Sequence, residues 1–265
     1  MLPTLKPEKL QVILSFIRQK VDESGASGLV LGVSGGIDSA LTLRLCADAI
    51  GASRVHALLM PEGGSVGKDE TDAIEYARLL GVPLKRIVIG EVVKKFVSEV
   101  DVEDRKVIGN IKARTRMVLC YAFANKNRLL VAGTSNKSEL LSGYFTKYGD
   151  GASDFCPLGD LYKTEVRQLA AFLKLPPVFL EKTPTAGLWP GQSDESEMGL
   201  TYEELDAVLY AVESGGKTGS ISEMTGVPAE KVGKVLAMVK SSRHKRRPPS
   251  IPKLGHRTVG ADWPD

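Results

Sequence analysis

Four short runs rich in leucine and β-branched residues, "GLVLGVS" (28–34), "RVHALLMP" (54–61), "KRIVIG" (85–90) and "RLLVAG" (128–133), are separated by longer amphipathic stretches. The runs are continuously apolar rather than alternating, so both of their faces must be covered. The stretches at 38–50, 67–80 and about 103–126 repeat their apolar residues at helical spacing. Parallel strands need a crossover of a dozen residues or more between them, and a helix is the usual solution. The pattern therefore predicts an α/β fold, a Rossmann-like open parallel sheet with helices on both faces. Ligands of such sheets bind beyond the carboxyl ends of the strands. Three of the four runs end there in small residues, at Gly32 to Gly36, at "PEGG" (61–64) and at "GTSN" (133–136).

A further amphipathic stretch, "PEKLQVILSFIRQKVDES", precedes the first run and reads as a helix that Gly25 stops. After residue 176 the texture changes. "LPPVFLEKTPTAGLWPGQSDESEMG" is rich in proline, glycine and polar residues and is longer than an ordinary connection. Residues 183–200 are expected to form a lid, with Pro184, Gly187, Pro190, Gly191 and Gly199 allowing its hinge changes. Helices are expected at 201–214, 218–225 and 228–242, before the basic, proline-rich end "SSRHKRRPPSIPKLGHRTVGADWPD". The chain reads as a single domain over 1–265: a nucleotide-binding core to about 175, the lid, then helices and a basic tail from 201.

Hydrophobic residues at 43% and charged residues at 25% suit a soluble globular protein with a proper core. A net charge of +3 is too slight to indicate nucleic acid. Cys46, Cys120 and Cys156 form no C-x-x-C pair and cannot all pair within one chain, which points to a reduced compartment. The N-terminal stretch has no unbroken apolar core of signal-peptide length, and nothing later approaches a membrane span. A cytoplasmic protein with no membrane or nucleic-acid partner is expected.

The chemistry is concentrated in "LGVSGGIDSA" (31–40). Gly35 and Gly36 let the backbone turn tightly and bring amide N–H groups to an anion, Ser34 and Ser39 add hydroxyls, and the following helix adds its positive end. No lysine follows the glycines, so this is not a Walker A loop. Asp38 within the loop could simply favour the first turn of the helix, an effect of about 0.3–1 kcal/mol. A bare carboxylate would nevertheless repel the anion that the glycines and hydroxyls invite. The two are reconciled by a hard cation between them, since Mg²⁺ takes one or two carboxylates together with phosphate oxygens.

"SGGIDS" resembles the pyrophosphatase loop of the N-type ATP pyrophosphatases, which have the adenine nucleotide alpha hydrolase-like fold and adenylate an acceptor while releasing pyrophosphate. Within them, "NIKARTRM" (110–117), "GTSNKSELLSGYFTKYGDGASDFCPLGDLYKTEVR" (133–167), "KTPTAGL" (182–188) and "HKRRPP" (244–249) resemble, in order, the motifs of the NAD synthetase family. The resemblance implies that ATP and deamido-NAD are substrates, that the acid is adenylated, and that ammonia then displaces AMP to give NAD. It implies ATP contacts from Gly32, Val33, Ser34, Gly35, Gly36, Ile37, Asp38, Ser39, Thr134, Lys163 and Thr185, with Mg²⁺ on Asp38 and Glu139. It implies deamido-NAD contacts from Arg114, Lys147, Asp154, His244 and Lys245, in a homodimer with the dinucleotide site at the interface. Asp38, Lys163 and Asp154 are the residues it implies for catalysis, Asp154 by taking a proton from ammonium.

Plainer roles stand beside these. Glu139 completes a capping box with Asn136, Thr134 could satisfy a strand end, and Lys147 and Lys163 could be solvated. Gly187 stands where many family members carry aspartate. A tRNA-modifying pyrophosphatase would use the same adenylation, with the basic tail on RNA, and a non-catalytic nucleotide sensor would not need two acidic ligands. The motifs fill residues 32–249, so free ammonia rather than glutamine is the expected nitrogen donor.

Overall fold

Strand β1 (Gly28–Val33) sends Leu29, Leu31 and Val33 to one apolar cluster and Val30 to another on the opposite face. Strand β2 (Val55–Leu59) does the same with Val55, Ala57 and Leu59 against Leu58. Period-two alternation between two buried faces is what makes these strands continuously apolar in sequence. In the computed structural model, which describes all residues except Ala186, Pro190, Thr218, Gly260, Ala261, Pro264 and Asp265, they are joined by β3 (Leu84–Arg86) and β4 (Leu129–Val131). The four are parallel in the order β3-β2-β1-β4.

Helices α1 (Glu8–Ser24), α2 (Ile37–Ile50) and α3 (Lys68–Leu80) lie on the face of the first cluster. Gly25, at φ +65°, ends α1 in the left-handed region, as the sequence predicts. The other face is covered by α4 (Gly90–Val100) and α5 (Arg105–Asn127). Six further helices follow among the described residues before the last one: α6 (Lys137–Ser142), α7 (Lys163–Phe172), α8 (Pro177–Leu180), α9 (Asp194–Met198), α10 (Tyr202–Glu213) and α11 (Ile221–Thr225). With α12 (Ala229–Ser241), α10 and α11 build a third cluster around Tyr202, Leu205 and Val235.

The third apolar run is shorter as a strand than the sequence predicts. Beyond Arg86 only Ile87 N and Ile89 N still donate to the β2 edge, at Leu59 O and Pro61 O. Gly90 then passes so close to Glu62 that a Cβ would stand 2.3 Å from its carbonyl oxygen, and the chain turns into α4. Helix α5 follows at once, opened by the Asp104 carboxylate, which accepts from Lys106 N at 2.8 Å and Val107 N at 2.9 Å.

The chain runs outward from β1 to β3 and returns to place β4 on the other side of β1. The order reverses between β1 and β4, which is where an open α/β sheet leaves a crevice.

Candidate active site

The loop after β1 is held open by its own hydroxyls. Ser39 Oγ accepts from Ser34 N at 3.2 Å and donates to Gly36 O at 3.0 Å, while Ser34 Oγ accepts from Gly36 N at 3.3 Å. Gly35 has φ +76°, and a Cβ there would lie 2.2 Å from the Asp69 carbonyl oxygen, so neither the conformation nor the space admits another residue. The loop feeds directly into α2, fourteen residues long, whose N-terminal end faces the crevice with Asp38 in its first turn.

Across the crevice, the loop after β4 presents Thr134 and leads to α6. Asn136, fully buried, joins the two sides. Its Oδ1 accepts from Glu139 N at 3.1 Å, capping α6, and its Nδ2 donates to Asp38 Oδ1 at 2.9 Å across 98 positions of chain. The predicted capping box is present, because Asn136 N donates to Glu139 Oε2 at 3.4 Å. Capping uses one oxygen of this carboxylate; the other, Oε1, stands 3.6 Å from Lys163 Nζ. That ammonium also donates to Asp38 Oδ2. Lys163, only 2% exposed, thus sits between the two acids expected to share a metal.

The electrostatics follow from burial. Burial first, and then the neighbouring Asp38 and Asp194 charges, push the Glu139 carboxyl up to about 8, with Lys163 opposing. Burial works against the Lys163 charge, yet Asp38 and Glu139 outweigh it and hold the ammonium above the ordinary lysine range. Asp194, buried, accepts from Tyr202 O–H at 3.1 Å. The cluster holds more acid than base, and it suits an added cation.

Lys163 is placed by residues that carry no charge into the crevice. Ser138 Oγ accepts from Lys163 N at 2.9 Å and donates to Asp206 Oδ1, and Asp206 Oδ2 accepts from Thr164 N at 2.8 Å. Asp206, on α10, is fully buried.

These groups open into a cavity of about 770 Å³, which continues past Leu59, Met60, Met117 and Cys120 on one side and Phe145, Thr146 and Lys245 on the other. That volume is within the range of small-molecule sites. Thr183, Pro184, Thr185, Gly187, Leu188, Trp189, Gln192, Asp194, Glu197 and Met198 form one wall. Lys112 Nζ donates to Leu188 O at 2.6 Å, Gln192 Oε1 accepts from Leu188 N at 2.8 Å, and Tyr144 O–H donates to Glu197 Oε2 at 2.6 Å. Gly187, at φ +61°, donates its N–H to Thr185 Oγ1 at 3.1 Å, and the left-handed backbone suits glycine there. Pro190, one of the expected hinge positions, lies outside the described residues.

Of the residues predicted from sequence, Gly32, Val33, Ser34, Gly36, Ile37, Asp38, Ser39, Thr134, Glu139, Lys163, Thr185 and Lys245 line this cavity. Gly35 is the buried turn behind it. Arg114, Lys147, Asp154 and His244 do not line it. Arg114, Asp154 and His244 are exposed and Lys147 is half-buried. Arg114 donates to Lys147 O at 3.3 Å from the outer face of α5. The Asp154 carboxylate is held by Val131 N at 2.7 Å and Tyr121 O–H at 3.2 Å, at the edge of the sheet. Within one chain, Asp154 makes no hydrogen bond or ion pair with Lys163 or Asp38. The physical reason is the β4 edge: Asp154 N donates to Val131 O while its carboxylate accepts from Val131 N, extending the sheet by one position.

Sequence reasoning missed Asn136 as a bridge, Asp206 as a support and Lys182, Arg116 and Asp194 as members of the site. Arg116 stood inside "NIKARTRM", and its Nε donates to Met60 O at 3.1 Å. Asn136 and Lys182 also stood inside quoted motifs, at 133–167 and 182–188, whereas Asp194 and Asp206 carry no local signal, since their partners are remote in the chain.

A family model described as NAD synthase matches residues 9–249. The chain is 49% identical over 243 residues to the NH(3)-dependent NAD(+) synthetase of Archaeoglobus fulgidus, covering 91% of this chain and 95% of the relative. It is 45% identical over 254 residues to that of Sulfurisphaera tokodaii, covering 95% and 90%. Among solved structures it is similar to the NMN synthetase from Francisella tularensis, with TM-score 0.84, 34% identity and coverage of 95% of this chain and 100% of that one. It is also similar to the NH3-dependent NAD synthetase from Campylobacter jejuni in complex with the nitrate ion, with TM-score 0.80, 32% identity and coverage of 94% and 100%.

Proposed function

The chain belongs to the NAD synthase family, and from that premise we propose how its site performs the ATP-dependent amidation of deamido-NAD by ammonia, giving NAD, AMP and pyrophosphate. The observation that carries the assignment of roles is the meeting of the β1 loop with Asp38, Glu139 and Lys163 at the switch point of the sheet. The loop amides and the end of α2 receive the phosphates of ATP. The nicotinate carboxylate attacks the α-phosphorus, the bond to the β-phosphate breaks, and pyrophosphate leaves with the electron pair. Neutral ammonia then adds to the acyl carbon of the adenylate, loses a proton and expels AMP.

Asp38 and Glu139 fit a magnesium ion. Both reach the same cation in the structure, here the Lys163 ammonium, and among the described residues no set of three acidic, histidine or cysteine ligands competes with them. Two carboxylates leave the remaining positions to water and phosphate, as Mg²⁺ prefers, and the ion when bound would neutralise charge on the triphosphate. Lys163 is oriented by both acids and by the Ser138–Asp206 pair, so its charge is fixed before substrate arrives. The Lys112–Leu188 and Tyr144–Glu197 bonds hold Leu188 and Glu197 over the cavity, where they help keep water from the adenylate.

The dinucleotide extends beyond one chain in this reading. On α5, Val107, Arg114, Val118 and Tyr121 share an outward face, and Val92, Phe96 and Val100 form an exposed apolar row on neighbouring α4. A homodimer joined on this face buries the row and brings Arg114, Lys147, Asp154 and His244 to the interface, where the far half of deamido-NAD would lie. Three free cysteines suit a reducing, cytoplasmic setting.

Pyrophosphate release from Mg·ATP tests the reading, with deamido-NAD, nicotinate mononucleotide, tRNA or no acceptor, and with ammonium or glutamine as nitrogen donor. Turnover is expected with deamido-NAD and ammonium. Release driven by tRNA, or equal rates without acceptor, would overturn it.

A further inference from the structure

The phosphate loop has no lysine of its own, yet the fold brings one to it. Lys182, 147 positions downstream of Gly35 and at the root of the cavity wall, donates from Nζ to Gly35 O at 2.9 Å. The same ammonium pairs with Asp69 Oδ1 at 2.5 Å, on the first turn of α3. Gly35 is pressed against the Asp69 backbone, so loop, α3 and wall meet at one point. Lys182 and Asp69 both line the cavity.

We propose that Lys182 is a catalytic residue of the adenylation step, its ammonium exchanging the Asp69 carboxylate for the phosphate oxygens of the leaving pyrophosphate. This rests on the amidation reading above. Two observations carry it. Lys163 is enclosed at 2% exposure between Asp38 and Glu139, whereas the Lys182 side chain is 22% exposed and its partner Asp69 57% exposed. A surface-type ion pair of this kind is worth little and is easily exchanged for a polyanion. The Gly35 contact fixes the ammonium at the loop whose amides receive the phosphates.

The step balances simply. The bond formed joins a nicotinate carboxylate oxygen to the α-phosphorus, the bond broken is that between the α-phosphorus and the bridging oxygen, and pyrophosphate takes the electron pair. Lys182 keeps its proton and supplies charge.

The test is equilibrium binding of Mg·ATP by calorimetry, with steady-state pyrophosphate release, for wild type, Lys182→Met, Lys182→Arg and Asp69→Asn. Lys182→Met should lose about 10- to 100-fold in affinity, the scale of one hydrogen bond to a charged group, and should also fall in kcat. Lys182→Arg should keep most of both. Asp69→Asn should bind Mg·ATP more tightly, because it removes the competitor. A tie that is merely structural predicts that Lys182→Met and Asp69→Asn weaken binding alike, and that result, or unchanged binding in Lys182→Met, would overturn the proposal. Wild-type protein that binds no Mg·ATP would sink the amidation reading itself.

Discussion

Asp38 has three neighbours at once: the Asn136 amide, the Lys163 ammonium and the N-terminal turn of α2. Asp38→Asn keeps the size of the side chain and leaves Glu139 to balance Lys163, so the fold should survive. The amide is a poor Mg²⁺ ligand, and turnover should fall beyond the ~10–100-fold typical of residues one step behind a ligand. Steady-state rates at saturating magnesium, with circular dichroism to confirm folding, decide it; a rate within about threefold of wild type, under 1 kcal/mol on the scale where ~1.4 is tenfold, would remove the metal role. At this scale the sequence was legible where a residue's chemistry is local. The capping box at Asn136 and Glu139 is four residues long and could be read directly. The Asn136–Asp38 bond could not be, because nothing in either neighbourhood indicates a partner 98 positions away. Lys163 was expected on phosphate; its place between two carboxylates depends on where α6 and α7 come to rest.

Between elements, the position of Lys163 depends on α10. Asp206 is buried and bonded to Ser138 and Thr164, and burial pushes its carboxyl up to about 6 despite those bonds. A carboxyl raised in the folded state favours folding fully below its unfolded value, near 3.9, and loses that contribution as pH climbs through about 6. Asp206→Asn lacks this titration. Its melting temperature relative to wild type should therefore rise between pH 4 and pH 7, by roughly the few degrees that 1 kcal/mol moves a protein of this size; a constant difference would count against the burial argument. The wall rests on α5 through Leu188 and Trp189, whose side chains lie about Gly109, with the Arg105 guanidinium 5.3 Å from the Trp189 ring. Hydrogen exchange there should slow when ATP and deamido-NAD are both present, and equal protection with and without them would argue against a closing lid. Elements with strong periodicity, such as α1, α2, α3 and α5, were legible to within a few residues. Helix α4 was not, since "GEVVKKFVSEV" buries only Val93, with Val97 partly buried beside it, while Val92, Phe96 and Val100 look outward. Helix α7 was hidden too, because it begins inside a motif whose chemistry draws attention from its spacing.

For the molecule as a whole, the exposed row on α4 and the outward face of α5 form the contact of the dimer proposed above. Val118→Glu places a charge on that face and should weaken association by ~2 kcal/mol or more, the range of a central interface residue. Sedimentation velocity should show monomer at micromolar concentration, with KM for deamido-NAD raised and Mg·ATP binding preserved. A fully dimeric variant with unchanged KM would move the interface elsewhere. The parallel sheet was legible from the apolar runs, while its strand order and the division of the expected substrate residues between cavity and outer face were not, because sequence order says nothing about which strands pair or which side of α5 meets solvent. The strand order has one more consequence. Strands β1, β2 and β3 and the phosphate loop are synthesised before β4, and Glu139 and Lys163 come later still. Contacts that span so much chain form slowly, after local ones. Asp38 and its loop are therefore made long before the second acid and the lysine, and the three side chains can meet only once residue 163 has left the ribosome.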